Sequence, residues 1–279
     1  MNEVSSRISS QLDSIGIMYR IFSRAKSRHS IDSKLSRDFR YGKDKKLQDL
    51  IGIRIILYFN DDVDTVRSII SSIYDERSSD VSIDEYKSDE FKAVRYNIVY
   101  SLPGNLVEVL NINGHEDFLD STFELQIRTI FSEGWHEVEH DLRYKCKSDW
   151  EGFDYQSRKL NGVYASLETS EWTMIKIFDD LAYNHYKSGD WSAMLRQKLR
   201  LRILDDSIDE GIVDVLEDRE VAKKFYRLDR SELVSLMSEK EFFYPLTLNN
   251  IIYFSNIHLV KDARIYDLTP HVMIEEMGG

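Results

Sequence analysis

The stretch that most constrains the fold is Phe123 to Lys145, FELQIRTIFSEGWHEVEHDLRYK, where one periodicity gives way to another. Phe123, Leu125 and Ile127 alternate with Glu124, Gln126 and Arg128, the period of a half-buried strand. After Thr129, the residues Phe131, Trp135, Val138 and Leu142 recur at spacings of four, three and four. This predicts an amphipathic helix with that stripe turned to the core. The opposite side carries His136 and His140 one turn apart, with Glu137, Glu139, Arg143 and Lys145 close by. Two incompatible chemistries fit the string. Taken literally, HEVEH matches HExxH, in which two histidines hold zinc and the glutamate is general base. Taken with the strand before it, a carboxylate-bearing strand feeds a basic, histidine-rich helix, a layout suited to a nucleotide and its metal.

Composition narrows the classes. The 279 residues suffice for one large domain or a domain with an appendage, and 42% hydrophobic content can build a core. Three prolines and twelve glycines argue against long disordered linkers. A formal net charge of -12 excludes wholesale coating of nucleic acid by bulk charge, so any polyanion site is local. The N-terminal MNEVSSRISSQLDSIG has no signal-peptide core, and no window approaches the length of a membrane span. A soluble, cytoplasmic protein without a membrane partner is expected. The one cysteine, Cys146, cannot form an internal disulfide or a cysteine-rich zinc site, and reads as an incidental surface thiol.

Along the chain, Val4, Ile8, Leu12, Ile15, Met18 and Ile21 predict a first helix over residues 3–24. The run SRAKSRHSIDSKLSR then gathers Arg24, Lys26, Arg28, Lys34 and Arg37 into a local cationic patch. Ser30 can cap a short helix with Lys34 one turn further on, while Arg24 and Lys26 share a side if their segment is extended. Such a cluster suits phosphate oxygens; a solvated charged face is the alternative. LQDLIGIRIILYF at 47–59 reads as a strand buried on both faces. Asp49 at its start and Arg54 in its middle require partners there, so Asp49 is either a metal ligand or bridged to Arg54.

Asp61 or Asp62 caps a helix lined by Val63, Val66, Ile70 and Ile73. Further strands are predicted at Val81–Tyr86, Phe91–Leu102, Leu106–Ile112 and Phe123–Arg128, with Pro103-Gly104-Asn105 turning two of them into a hairpin. The expected class is α+β: a five-stranded mixed sheet flanked by helices. A long helical segment spans Trp150 to Lys187, and Gly189-Asp190 marks a boundary. Residues 1–189 are thus expected to form the main domain and 190–279 a mainly helical extension, in which 246–260 is a helix or a strand.

Four blocks in order, Arg24-x-Lys26-x3-Ser30-x3-Lys34, DLIGIR at 49–54, ELQIRT at 124–129 and WHEVEHDLRYK at 135–145, resemble the synthetase domain of the RelA/SpoT family. The resemblance covers about residues 10–185. It implies a nucleotidyltransferase-like fold and transfer of the β,γ-pyrophosphate of ATP to the ribose 3′-hydroxyl of GDP or GTP, making ppGpp or pppGpp. By the resemblance, Asp49 and Glu124 would hold Mg²⁺, with Glu124 also accepting the hydroxyl proton. Arg24 and Arg54 would sandwich the adenine, and Lys26, Ser30 and Lys34 would contact the ATP phosphates. Gln126, Arg128 and His140 would serve the acceptor side. The family's helix after this strand commonly carries histidine and glutamate, which accounts for HEVEH without zinc; a zinc peptidase would also need a third ligand.

Where the family has G-Y-[RK]-S-x-H for the guanosine acceptor, this chain has Glu90-Phe91-Lys92-Ala93-Val94-Arg95. Phe91 can still stack on a base and Lys92 can still meet a phosphate. The departure opens a second acceptor, the 3′-CCA end of tRNA, as in the family's toxic small synthetases. Residues 190–279 would then neutralise, sense or grip tRNA, and an antitoxin or regulatory partner and a homo-oligomer fit the same reading. No alarmone hydrolysis is expected. A non-catalytic nucleotide-binding protein is the alternative outside this chemistry, opposed by the retained Asp49 and Glu124.

Overall fold

Alternating and near-continuous apolar runs produce one sheet. In the computed structural model, which describes residues 2–77, 82–83, 96–110 and 117–277, the strands are β1 (Tyr19–Ala25), β2 (Ile51–Leu57), β3 (Ser82–Ile83), β4 (Tyr96–Ser101) and β5 (Thr122–Thr129). Their order is β1-β2-β5-β4-β3. Only β2 and β5 pair in parallel; the other neighbours are antiparallel, so the sheet is mixed as expected. One face is hydrocarbon: Ile53, Ile55 and Leu57 of β2 lie beside Leu125 and Ile127 of β5, all buried. Phe123 anchors this face, stacked on Tyr100 at 5.4 Å and edge-on to Tyr74 at 5.1 Å.

Around the sheet run α1 (Asn2–Ser14), α2 (Arg28–Arg37), α3 (Val63–Ile73), α4 (Gly104–Leu110), α5 (Ile130–Glu139) and α6 (Asp154–Ser188). Val63, Val66 and Ile70 of α3 are buried. The chain divides into two compact units, one of Met1–Ser9 with Tyr19–Glu171, the other of Ser10–Met18 with Trp172–Gly279. That division falls inside α6, ahead of the Gly189-Asp190 boundary read from the sequence. The second unit is helical, adding α7 (Trp191–Leu199), α8 (Glu210–Leu216), α9 (Arg219–Tyr226), α10 (Arg230–Glu239), α11 (Leu248–Ser255), α12 (Ala263–Leu268) and α13 (His271–Met277). Its core includes Phe225, Met237, Phe242 and Phe254, and the buried Arg230 donates from Nε to the Leu199 carbonyl at 2.5 Å, closing the end of α7. No helix among the described residues is long and apolar enough to cross a membrane.

Four local expectations are corrected. The helix over 3–24 stops at Ser14, because Gly16 turns the chain at φ +74°, and Tyr19–Ala25 becomes an edge strand instead. Of the strand expected over 106–112, the described residues 106–110 are helical instead and make no hairpin: Pro103 sits just ahead of α4, its carbonyl accepting from the Leu106 and Val107 amides. Ser27, not Ser30, caps α2; its Oγ accepts from the Ser30 amide at 3.2 Å. Finally, α5 does not bury the Phe131-Trp135-Val138-Leu142 stripe. It buries Ser132, Trp135, His136 and Glu139, leaving Val138 and Leu142 exposed, because Trp135 packs under Tyr164 of α6 and donates from Nε1 to the Leu160 carbonyl.

The hinge between β5 and α5 is a reciprocal cap. Thr129 Oγ accepts from the Ser132 amide at 3.1 Å, and Ser132 Oγ accepts from the Thr129 amide at 3.0 Å. The Thr129 hydroxyl donates to the carboxyl of Glu171, buried on α6. Burial pushes this carboxyl from 4.5 up to about 7; the Thr129 bond opposes the rise and the charge of Glu168 adds to it. The folded state therefore holds a proton that the unfolded chain releases. Its stability is greatest below about pH 4.5 and falls as pH rises to about 7. Glu171→Gln removes this slope in urea unfolding and leaves the variant more stable than the parent at pH 8, by up to about 3 kcal/mol.

Candidate active site

The second face of the sheet is polar because the same alternation puts every charged strand residue there. Cross-strand register arranges these residues in rows: Arg24 beside Gly52 beside Glu124 beside Val99, then Phe22 beside Arg54 beside Gln126 beside Asn97. Gly52 leaves the first row open. A Cβ there would meet Arg24 Cγ at 3.5 Å, so the arginine side chain lies across a strand that offers no side chain of its own. The Arg24 side chain makes no hydrogen bond or ion pair among the described residues.

Asp49 lies just before β2, held by the Lys26 amide on the Leu50 carbonyl at 2.8 Å and by Thr122 Oγ on the Gln48 carbonyl at 3.0 Å. Its Oδ2 accepts from Lys26 Nζ at 2.5 Å and Lys34 Nζ at 3.0 Å. Burial alone would raise the Asp49 carboxyl, but these two lysines outweigh it and hold the group below its ordinary value. Oδ1 is buried and has no hydrogen-bond partner among the described residues. Asp49 is therefore bridged to the two lysines rather than to Arg54.

Arg54 is held from the other side. Its Nε donates to Gln126 Oε1 at 3.0 Å, and its Nη1 donates to Glu133 Oε1 at 2.7 Å and Glu137 Oε1 at 2.6 Å. Burial works against the charge of Arg54, and the two glutamates more than restore it, raising its pKa. Arg128 donates to Glu133 Oε2 at 2.7 Å and to Gln126 Oε1 at 3.3 Å. Burial and the neighbouring Arg54 charge pull the Arg128 pKa down, against the pull of Glu133. Gln126 completes the lattice by donating from Nε2 to Glu124 Oε1 at 2.8 Å.

Two cavities adjoin here. The first, of about 450 Å³, is lined by Phe22, Arg24, Arg54, Glu124, Gln126 and Glu137, among others. The second, of about 710 Å³, is lined chiefly by Lys26, Ser27, Ser30, Lys34, Tyr41 and Lys45. Arg24 and Asp49 belong to both. One is an apolar-floored slot between two guanidinium groups; the other is a cationic bowl at the N-terminus of α2, suited to an anion.

Arg24, Lys26, Ser30, Lys34, Asp49, Arg54, Glu124 and Gln126 are thus assembled at this joint centre. Arg128 is tied behind it in the lattice. His140 stands apart: half exposed, its Nδ1 is 3.0 Å from Asp141 and its ring stacks on Tyr144. His136 is buried against Trp135 and Tyr164, so the two histidines of HEVEH occupy different environments. Among the described residues no group of three or more His, Cys, Asp and Glu side chains could hold a metal. Phe91 and Lys92 lie outside the described residues. Sequence reasoning missed Glu133 and Glu137 as the clamp on Arg54. Their spacing of four on α5 was the available signal, masked by the HExxH match. It also missed Gly52 as the open floor.

Filling that floor is a direct test. Gly52→Val suits a strand, yet its methyl groups displace Arg24 from the slot. Affinity for ATP, the nucleotide the sequence resemblance implies, is expected in equilibrium dialysis to fall roughly tenfold or more while the urea midpoint barely moves.

Part of the chain is similar to known proteins. Residues 23–149 match the family model described as the region found in RelA / SpoT proteins. The GTP pyrophosphokinase YjbM of Bacillus subtilis (strain 168) is 28% identical over 104 residues, which are 36% of this chain. The match spans 43% of that relative, less than half its length. Among solved structures, the small alarmone synthetase 1 from Bacillus subtilis aligns at 20% identity and a TM-score of 0.45, over 63% of this chain and 88% of that one. A GTP pyrophosphokinase family protein from Streptococcus pneumoniae aligns at 22% identity and the same TM-score of 0.45, over 64% and 87%. The span that carries Arg24, Asp49, Arg54 and Glu124 is thus similar to the region found in RelA / SpoT proteins.

Proposed function

We propose that the protein is an ATP-dependent pyrophosphokinase that transfers the β,γ-pyrophosphate of ATP to a ribose 3′-hydroxyl, with GDP or GTP as acceptor. The observation that carries this reading is the pair of cavities sharing Arg24 and Asp49. A triphosphate whose base lies between Arg24 and Arg54 runs its phosphates past Asp49 into the bowl of Lys26, Ser30 and Lys34. The family match and the similarity to the GTP pyrophosphokinase YjbM support the same reading.

Asp49 and Glu124 line one cavity, and the buried Oδ1 of Asp49, without a hydrogen-bond partner among the described residues, fits a cation ligand. Two carboxylates completed by triphosphate oxygens form the hard-oxygen set that Mg²⁺ prefers, so these residues would hold it. When bound, the ion would draw charge from the phosphate oxygens. Lys26 and Lys34 each have donors left over after Asp49, and these meet the β- and γ-phosphates. Glu124 takes the proton of the attacking 3′-hydroxyl. The new bond joins O3′ to the β-phosphorus, the bond from that phosphorus to the α,β-bridging oxygen breaks, and AMP leaves with that oxygen.

The tRNA 3′-CCA end presents a chemically equivalent hydroxyl, and the Glu90-Phe91-Lys92-Ala93-Val94-Arg95 departure favours it as the second reading. Under either reading, residues 190–279 are a regulatory or partner-binding extension. Incubation with γ-labelled ATP and GDP, GTP or deacylated tRNA separates the acceptors. Label on the guanosine nucleotide is the expected result, label on tRNA establishes the second reading, and no transfer to any acceptor overturns the enzyme assignment. Asp49→Asn and Glu124→Gln should each lower turnover roughly 10²- to 10⁴-fold with far-UV dichroism unchanged.

A further inference from the structure

We propose that Glu137 selects the base of the donor nucleotide by accepting a hydrogen bond from a 6-amino group, so that the slot takes a 6-aminopurine triphosphate and rejects 6-oxopurines. This rests on the reading of the slot as the donor nucleotide's base site.

The platform is fixed before any base arrives. The guanidinium of Arg54 is pinned by Gln126, Glu133 and Glu137 at 3.0, 2.7 and 2.6 Å, which sets its plane. A ring stacked on it therefore has a defined edge. Glu133 spends both oxygens, Oε1 on Arg54 and Oε2 on Arg128. Glu137 spends one. Arg54 and Arg128 both donate to its Oε1, at 2.6 and 3.4 Å, and no hydrogen bond among the described residues reaches Oε2. The side chain is 52% exposed and lines the slot. An acceptor without a partner thus stands beside the guanidinium on which the ring lies.

The charge on that acceptor is secure. Burial would raise the Glu137 carboxyl, but Arg54 overcomes this and keeps it below its ordinary value. An ionised carboxylate only accepts hydrogen bonds. Adenine offers it the amino donor at position 6. Hypoxanthine and guanine carry an oxygen there, which would leave two acceptors facing each other in a partly desolvated slot. Among the other lining side chains, Phe22 and Ile56 are apolar, the acceptor oxygens of Gln126 and Glu133 are taken by Arg54 and Arg128, and in a stacked base Arg24 and Arg54 would meet ring faces.

The test compares ATP with inosine triphosphate, which differs by a 6-oxo for a 6-amino group, in equilibrium binding with Mg²⁺ and no acceptor. The parent protein should favour ATP roughly ten- to a hundredfold. Glu137→Ala should bring the ATP to inosine triphosphate ratio close to one. Glu137→Gln, whose amide can present either oxygen or NH₂, should keep ATP binding within a few-fold and gain the inosine nucleotide. If Glu137 only steadied Arg54, the alanine variant would weaken both nucleotides equally and the ratio would persist, which overturns the proposal. Equal binding of the two by the parent also overturns it while leaving the base-site reading intact. Binding of neither removes that reading and the proposal with it.

Discussion

The parallel pairing of β2 with β5 is the constraint on which the rest of the structure depends. Gly52 faces Glu124 and Arg54 faces Gln126, so the polar members of both strands share one surface while Ile53, Ile55, Leu125 and Ile127 fill the other. A slip of one residue on either strand would drive a guanidinium or a carboxylate into hydrocarbon. The hydrophobic core thereby decides which side chains can meet. Glu124 and Asp49 are distant in sequence, and this register alone brings them to one cavity.

On that surface the charges fall into two separate groups, one left net positive and one neutralised. Asp49 answers Lys26 and Lys34, while Glu133 and Glu137 answer Arg54 and Arg128. Keeping the groups apart leaves the lysine bowl able to receive phosphate and the arginine slot able to receive a planar ring. A direct Asp49 to Arg54 bridge would have closed both. The polar lattice is built on strands and one helix, so its geometry is carried by backbone hydrogen bonds rather than by a loop.

The site was largely legible in the sequence because its residues sit at short, fixed spacings on regular elements. Arg24 is near the end of a strand, Lys26 follows that strand directly, and Ser30 and Lys34 fall on the first turns of a helix; Glu124 and Gln126 alternate on β5. What failed was local and has physical reasons. Tyr19, Ile21 and Ser23 read as a continuing helix because apolar spacing cannot register the turn at Gly16, whose positive φ shows only in the fold. Residues 106–112 read as a strand since a short apolar run is ambiguous between the two periods. The orientation of α5 escaped because Trp135 is drawn by Tyr164, a tertiary contact 29 positions away, and this turns Val138 and Leu142 outward. The same rotation aims Glu133 and Glu137 at Arg54, which is why the clamp was missed along with it.

The walls of the slot owe their shape to charge more than to hydrocarbon. Screening lengths shrink from about 10 Å at 0.1 M salt to about 3 Å at 1 M, and exposed pairs loosen before sheltered ones. Glu137 is half exposed and Glu133 mostly covered, so concentrated electrolyte slackens the outer jaw of the arginine clamp first. The gap then opens on its solvent side, over a sheet whose oily underside does not respond to dissolved ions.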